Sequence, residues 1–151
     1  MPPDAQRKRA ADLFTAAQSL LAIPERRPDQ DEEMVHAAHA SAYYWLRAGD
    51  ARDHMRANWL CARVYAALGL APQAEWHARL CLRLCSDRAL TTFDHARAFE
   101  VHARAYAAAK RSLEARITLE RARLVAAMIT DPAERALMDA DIAETDLTLA
   151  R

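Results

Sequence analysis

Glycine is almost missing from this chain: only Gly49 and Gly69 occur among 151 residues. That scarcity excludes a glycine-rich phosphate loop, and neither a nucleophile elbow nor a paired-cysteine zinc motif is present. Catalysis therefore has no recognisable foothold, and no cofactor motif stands in its place. Nor does any uninterrupted apolar run approach the ~18 residues that a membrane-spanning helix needs. The opening stretch, MPPDAQRKRAADLF, has no apolar segment of signal type, so a cytoplasmic location without a membrane partner is the expectation. Excess charge of either sign is lacking too. The 21 Lys and Arg balance 21 Asp and Glu, which leaves no global field to draw the protein to nucleic acid or an anionic surface. Cysteine is limited to Cys61, Cys81 and Cys85, an odd number set in helical pattern, which suits reduced thiols rather than a disulfide framework.

What is present points to helices. Apolar residues make up 52% of the chain and charged residues 28%, with alanine, leucine and arginine prominent. Apolar positions recur at three- and four-residue spacing almost throughout, and no alternating stretch suggests a strand. The pattern predicts helices over about 4–22, 31–48, 51–68, 72–85, 92–109, 113–128 and 132–149. Gly49 followed by Asp50, and Gly69 followed by Pro72, read as helix stop and start signals. Thr91 or Thr92, Ser112, and Thr130 or Asp131 read as further N-caps. The segment IPERRPDQDEE, residues 23–33, has the character of a linker, and residues 1–6 offer little to bury.

One stretch is said twice. DHMRANWLCARVYAA at 53–67 returns as DHARAFEVHARAYAA at 94–108, and extending the pairing to 74 and 115 gives ten identities in twenty-two positions. A repeated helix pair of this size is the mark of an α-solenoid. His54, Asn58, Cys61 and Tyr65 share one helical stripe, as do His95, Phe99, His102 and Tyr106. Each stripe is expected to face the following helix, with Ala62, Ala103, Ala74 and Ala115 as the small residues that let backbones approach. Asp53 and Asp94 fall in the first turn of each helix, where the dipole and capping favour a carboxylate.

The pattern resembles the tetratricopeptide repeat. Ala62, Tyr65, Gly69, Ala74 and Cys81 in the first unit match that motif's small, aromatic, glycine, alanine and small positions; Phe99, Ala103, Tyr106, Ala115 and Ala122 match aromatic, small, aromatic, alanine and small positions in the second. Lys110 stands where glycine is expected, and the offset of 41 exceeds the usual period of about 34. HASAYYWLRAGD, RVYAALG and FDHARAFEVHARAYA also resemble segments of small bacterial tetratricopeptide-like proteins. The resemblance implies a single all-α domain over 1–151, an antiparallel helix-pair array (an α-solenoid of about seven helices). Its units lie at about 51–85 and 92–128, flanked by helices at 4–22, 31–48 and 132–149. It implies a fold and no activity.

In such an array the first helix of each pair lines a concave face. The stripe opposite the packing contacts is Arg56, Trp59 and Arg63 in one unit, and Arg97, Glu100 and Arg104 in the next. Guanidinium forks match carboxylates, and some tetratricopeptide domains hold acidic or carboxylate-terminated peptides on such residues, so the resemblance implies a protein or peptide partner here. These arginines could equally be solvated or paired with Glu75, Glu100 or Glu114. A competing reading is a helical metal- or small-ligand-binding protein. Glu33, His36 and His39 form one linear donor set, and His77, Cys81 and Cys85 another. Packing and ordinary hydrogen bonds account for both sets without metal. Charge is also uneven. Residues 95–127 carry seven Lys or Arg against three Asp or Glu, and residues 128–151 carry two against six. The last helix is therefore expected to neutralise its basic neighbour or to meet it across a homo-oligomer interface. Arg97, Arg104, Lys110, Arg111 and Arg116 lack an aromatic stacking platform for nucleic acid.

Overall fold

The computed structural model describes all 151 residues, Met1–Arg151, as seven α-helices without a strand. They are α1 (Pro3–Leu21), α2 (Pro28–Ala48), α3 (Ala51–Ala67), α4 (Ala71–Leu84), α5 (Thr92–Ala108), α6 (Ser112–Ala126) and α7 (Pro132–Ala150). The start of α2 is the largest departure from the sequence expectation. Pro28 is a first-turn residue of that helix rather than part of a linker, a position where its missing N–H costs nothing. No helix is long and apolar enough to cross a membrane.

Local devices recur at the offset of 41. Helix α3 is opened by Asp50, whose side chain accepts from the Asp53 N–H at 3.0 Å while Asp53 accepts from the Asp50 N–H at 3.1 Å. Thr91 and Asp94 repeat this reciprocal cap at the start of α5. Both helices end through a left-handed residue: Gly69 at φ 71° and Lys110 at φ 61°. The following N–H donates to a tyrosine carbonyl in each case, Leu70 to Tyr65 and Arg111 to Tyr106, both at 2.9 Å. The apparent departure at Lys110 thus keeps the turn and changes only the side chain. A left-handed lysine is strained where glycine is not, so Lys110→Gly is expected to stabilise the protein by about 1 kcal/mol, read as a higher urea midpoint with unchanged slope. Ser112 is the first residue of α6 rather than its cap, because Arg111 is still completing this turn. Gly49 answers a different need: a Cβ there would lie 2.6 Å from the Trp45 carbonyl oxygen and 2.7 Å from the Asp53 Cβ.

Helices adjacent in the chain pack on one another, and α3 also packs on α5, and α5 on α7. Ala62, Ala74, Ala103 and Ala115 are fully buried, as close helix approach requires. One core cluster joins α1 to α5 around Met34, Met55, Leu60 and Val64. A second joins α5, α6 and α7 around Phe93, Leu119, Met138 and Ile142. Helix α5 contributes to both. Between them, α1, α3, α5 and α7 leave a groove of about 770 Å³.

Candidate functional site

The groove takes Leu21 and Gln18 from α1, Trp59 and Arg63 from α3, Arg97 and Arg104 from α5, and Asp141 and Glu144 from α7. Of the four arginines placed on the stripe, Arg63, Arg97 and Arg104 line this groove, and Arg56 does not. What fills the middle differs. Trp59 is only 2% exposed, and Glu100 is fully buried. Both are expected on an open stripe; Phe14 of α1 and the Arg97 guanidinium flank the Trp59 ring, while α7, docked beside α5, covers Glu100.

The cover is electrostatic as well as apolar. Arg63 donates to Asp141 Oδ1 at 2.8 Å, and its other nitrogen lies 3.5 Å from Glu144 Oε2. Arg104 pairs with Glu100 at 2.8 Å and with Glu144 at 3.2 Å, and donates to the Asp141 carbonyl at 3.3 Å. The Thr145 hydroxyl donates to Glu100 Oε1 at 2.6 Å. Burial alone would lower the Arg104 pKa, but Glu100 and Glu144 outweigh it and raise the value. Burial would likewise raise Glu144, yet Arg104 holds it below its ordinary value. Arg123 adds a further pair to Asp146 at 2.6 Å. The acidic last helix therefore neutralises its basic neighbours within the chain.

Arg97 is the exception. Its guanidinium lies 3.7 Å from the Trp59 ring centroid and 4.8 Å from that of Phe93, and it forms no ion pair. Its Nε and the Trp59 Nε1 are both covered and without a hydrogen-bond partner. Burial pulls the Arg97 pKa down to about 10, with Arg56 and Arg63 adding to the effect and Asp141 and Asp94 opposing it. Asp141 pairs with Arg63 and Asp94, through Oδ2, with Arg52, and neither lies within ion-pair distance of Arg97. Cation–π contact with an indole offsets some of the desolvation cost, on the order of 2 kcal/mol, but leaves the charge without an anion. Arg56, also unpaired, is exposed over the Phe14 ring at 5.3 Å.

The two linear donor sets do not gather. His36 and Glu33 point into open surroundings, with His36 only 3.8 Å from Glu32 on the same exposed face. Cys81 is buried against the Met55 carbonyl at 3.6 Å, and Cys85 stands one turn further along. Instead, one member of each set meets the other across helices. His39 and His77 have ring centroids 5.4 Å apart, and Cys61 completes the group. The sequence places Cys61, Asn58 and Tyr65 on a packing stripe and no more. That stripe does face α4, as expected, and the same geometry makes it a polar cluster. Linear spacing could not disclose this, because each helix supplies a single donor.

No family model matches the chain, and no curated protein or solved structure matches it either.

Proposed function

We propose that the chain is a tetratricopeptide-like array acting as a protein-interaction or scaffold module, and that its inner groove seats a carboxylate of an acidic or carboxylate-terminated peptide on Arg97. The single observation behind this reading is a mostly buried guanidinium, lining a groove, that has no anion of its own. Buried charges are normally paired, and an Arg fork that lacks a partner is matched by a carboxylate. The repeated caps and left-handed turns at the offset of 41 support the array. Arg63 and Arg104, occupied by α7, serve as positioning residues.

The test uses a variant with Trp45→Phe and Trp76→Phe, which leaves Trp59 as the sole indole. An acetylated hexapeptide of alternating leucine and glutamate, with a free or amidated C-terminus, is titrated at low salt. A saturable change in Trp59 emission is expected, weakening with salt. Arg97→Met should lose at least about tenfold in affinity, in line with a charge-assisted hydrogen bond worth roughly 1.5–3 kcal/mol. It should also be at least as stable as the parent, since an uncompensated charge is removed while its stem packing is kept. Equal binding by Arg97→Met would rule out this seat.

A further inference from the structure

His39 from α2, Cys61 from α3 and His77 from α4 meet where the three helices pack, with donor atoms all within 4.8 Å of one another. Cys61 is fully buried, His77 is 8% exposed, and His39 stands at the solvent-facing rim. Above them lies a groove of about 640 Å³ between α2 and α4, which gives a path from solvent past Trp76 and Tyr43. We propose that these three residues form a binding site for one soft transition-metal ion, with copper(I) the best match.

The hydrogen bonds around the cluster prepare it for that role. Asn58 Nδ2 donates to the His54 carbonyl oxygen at 3.0 Å, which turns Oδ1 toward His77. His77 Nδ1–H then donates to that oxygen at 2.9 Å, leaving the Nε2 lone pair free. Metal-binding imidazoles are held in this way, one nitrogen donating to an outer oxygen and the other facing the ion. The Tyr65 hydroxyl, 2.8 Å from His39 Nε2, orients the third donor.

Charge decides among ions. Two neutral imidazoles and one thiolate carry a single negative charge, and no carboxylate belongs to the cluster. A monovalent ion makes the occupied site neutral, whereas a divalent one leaves a buried positive charge. Thiolate and imidazole donors also suit copper(I), which is content with three ligands, while zinc calls for a fourth. On binding, the Cys61 S–H bond breaks, its proton leaves to solvent and the sulfur–metal bond forms, with no change of oxidation state. Donors about 2.0–2.3 Å from an ion lie roughly 3.3–4 Å apart, so the cluster must tighten by about an ångström. His39, at the exposed rim, makes that movement by turning about its contact with the Tyr65 hydroxyl.

The second unit argues that this set is more than repeat packing. At the offset of 41, Phe99, His102 and Thr118 replace Asn58, Cys61 and His77. Packing between the helices of a pair is satisfied there without the donor set. The test is anaerobic titration with copper(I), buffered by a chromophoric chelator, and a parallel titration with zinc. One equivalent of copper(I) should bind, more tightly than zinc. Cys61→Ser and His39→Ala should each weaken binding by more than the roughly 10–100-fold that loss of an outer-shell partner costs. Cys85→Ala should leave it unchanged. Cys61 is buried and its variant could fold poorly, but His39 is at the rim and its variant keeps the core. Stoichiometric binding that survives His39→Ala, tighter binding of zinc, or no competition with the chelator would each overturn the assignment.

Discussion

Replacing Arg104 with alanine is expected to lower the unfolding free energy by about 3–5 kcal/mol, the usual consequence of removing one partner from a buried pair. Glu100 is fully buried, and its Oε1 takes hydrogen bonds from Arg104 and Thr145. Without Arg104 the carboxylate keeps one hydroxyl donor and no counter-charge. Glu144 and the Asp141 carbonyl lose their second contact as well, so α7 is loosened from α5. The double change Glu100→Gln with Arg104→Met removes both charges together, and should recover much of the loss, because apolar replacement of a whole buried pair is often neutral. Urea unfolding followed by circular dichroism reads both values. A loss below about 1 kcal/mol in Arg104→Ala would mean that the network contributes no more than an exposed pair.

Acid should act through His77 before it acts through the carboxylates. The folded-state pKa of His77 is depressed to about 4 from 6.5, chiefly by burial and then by repulsion from His39. Between these values the unfolded chain binds the extra proton and the folded chain does not, so stability falls as pH drops from 6.5 toward 4. After allowance for the ring's partial solvent contact, the loss is on the order of 2 kcal/mol. His39 and His102, also lowered by burial, deepen the same trend. Glu144 belongs to a separate window. Its folded pKa is lowered from 4.5, so its contribution is present above that value and is lost as pH falls through the lower one. Urea midpoints from pH 7 to 4.5 should decline in the native chain and decline less in His77→Gln. A slope unaltered by that substitution would place the acid sensitivity elsewhere.

The helices themselves were legible because their signals are local. Asp50, Thr91 and Asp131 cap through side chains that accept from an N–H three residues on, and each cap stands directly in the sequence. Lys110 was misleading for a physical reason: a left-handed turn residue is usually glycine, yet a lysine tolerates the conformation when the Arg111 N–H and the Tyr106 carbonyl close the turn. The i, i+3 and i+7 spacing fixes a common face on each helix, and it led to Arg63, Arg97 and Arg104 in the groove but not to the place of Arg56, which lies over Phe14 outside it. The burial of Trp59 and Glu100 was not legible, because Trp59 is stacked by Phe14 of the first helix and Glu100 is covered by α7, a segment far on in the chain. Its signal existed only as opposite charge in residues 95–127 and 128–151, which states that two segments attract without stating which residues meet. The His39, Cys61 and His77 cluster left no linear trace, since three helices contribute one donor each.

A groove that keeps buried Arg97 unpaired while pairing Arg63 and Arg104 makes a sharp claim about which side chain responds to a ligand. The most direct measurement follows the side-chain Nε–Hε resonances of Arg63, Arg97 and Arg104 by nuclear magnetic resonance during titration with the acidic hexapeptide. A saturable shift at Arg97 and at the Trp59 indole N–H, with Arg63 and Arg104 still held by Asp141 and Glu144, is the predicted result. Shifts confined to Arg63 and Arg104, with Arg97 unmoved, would contradict it.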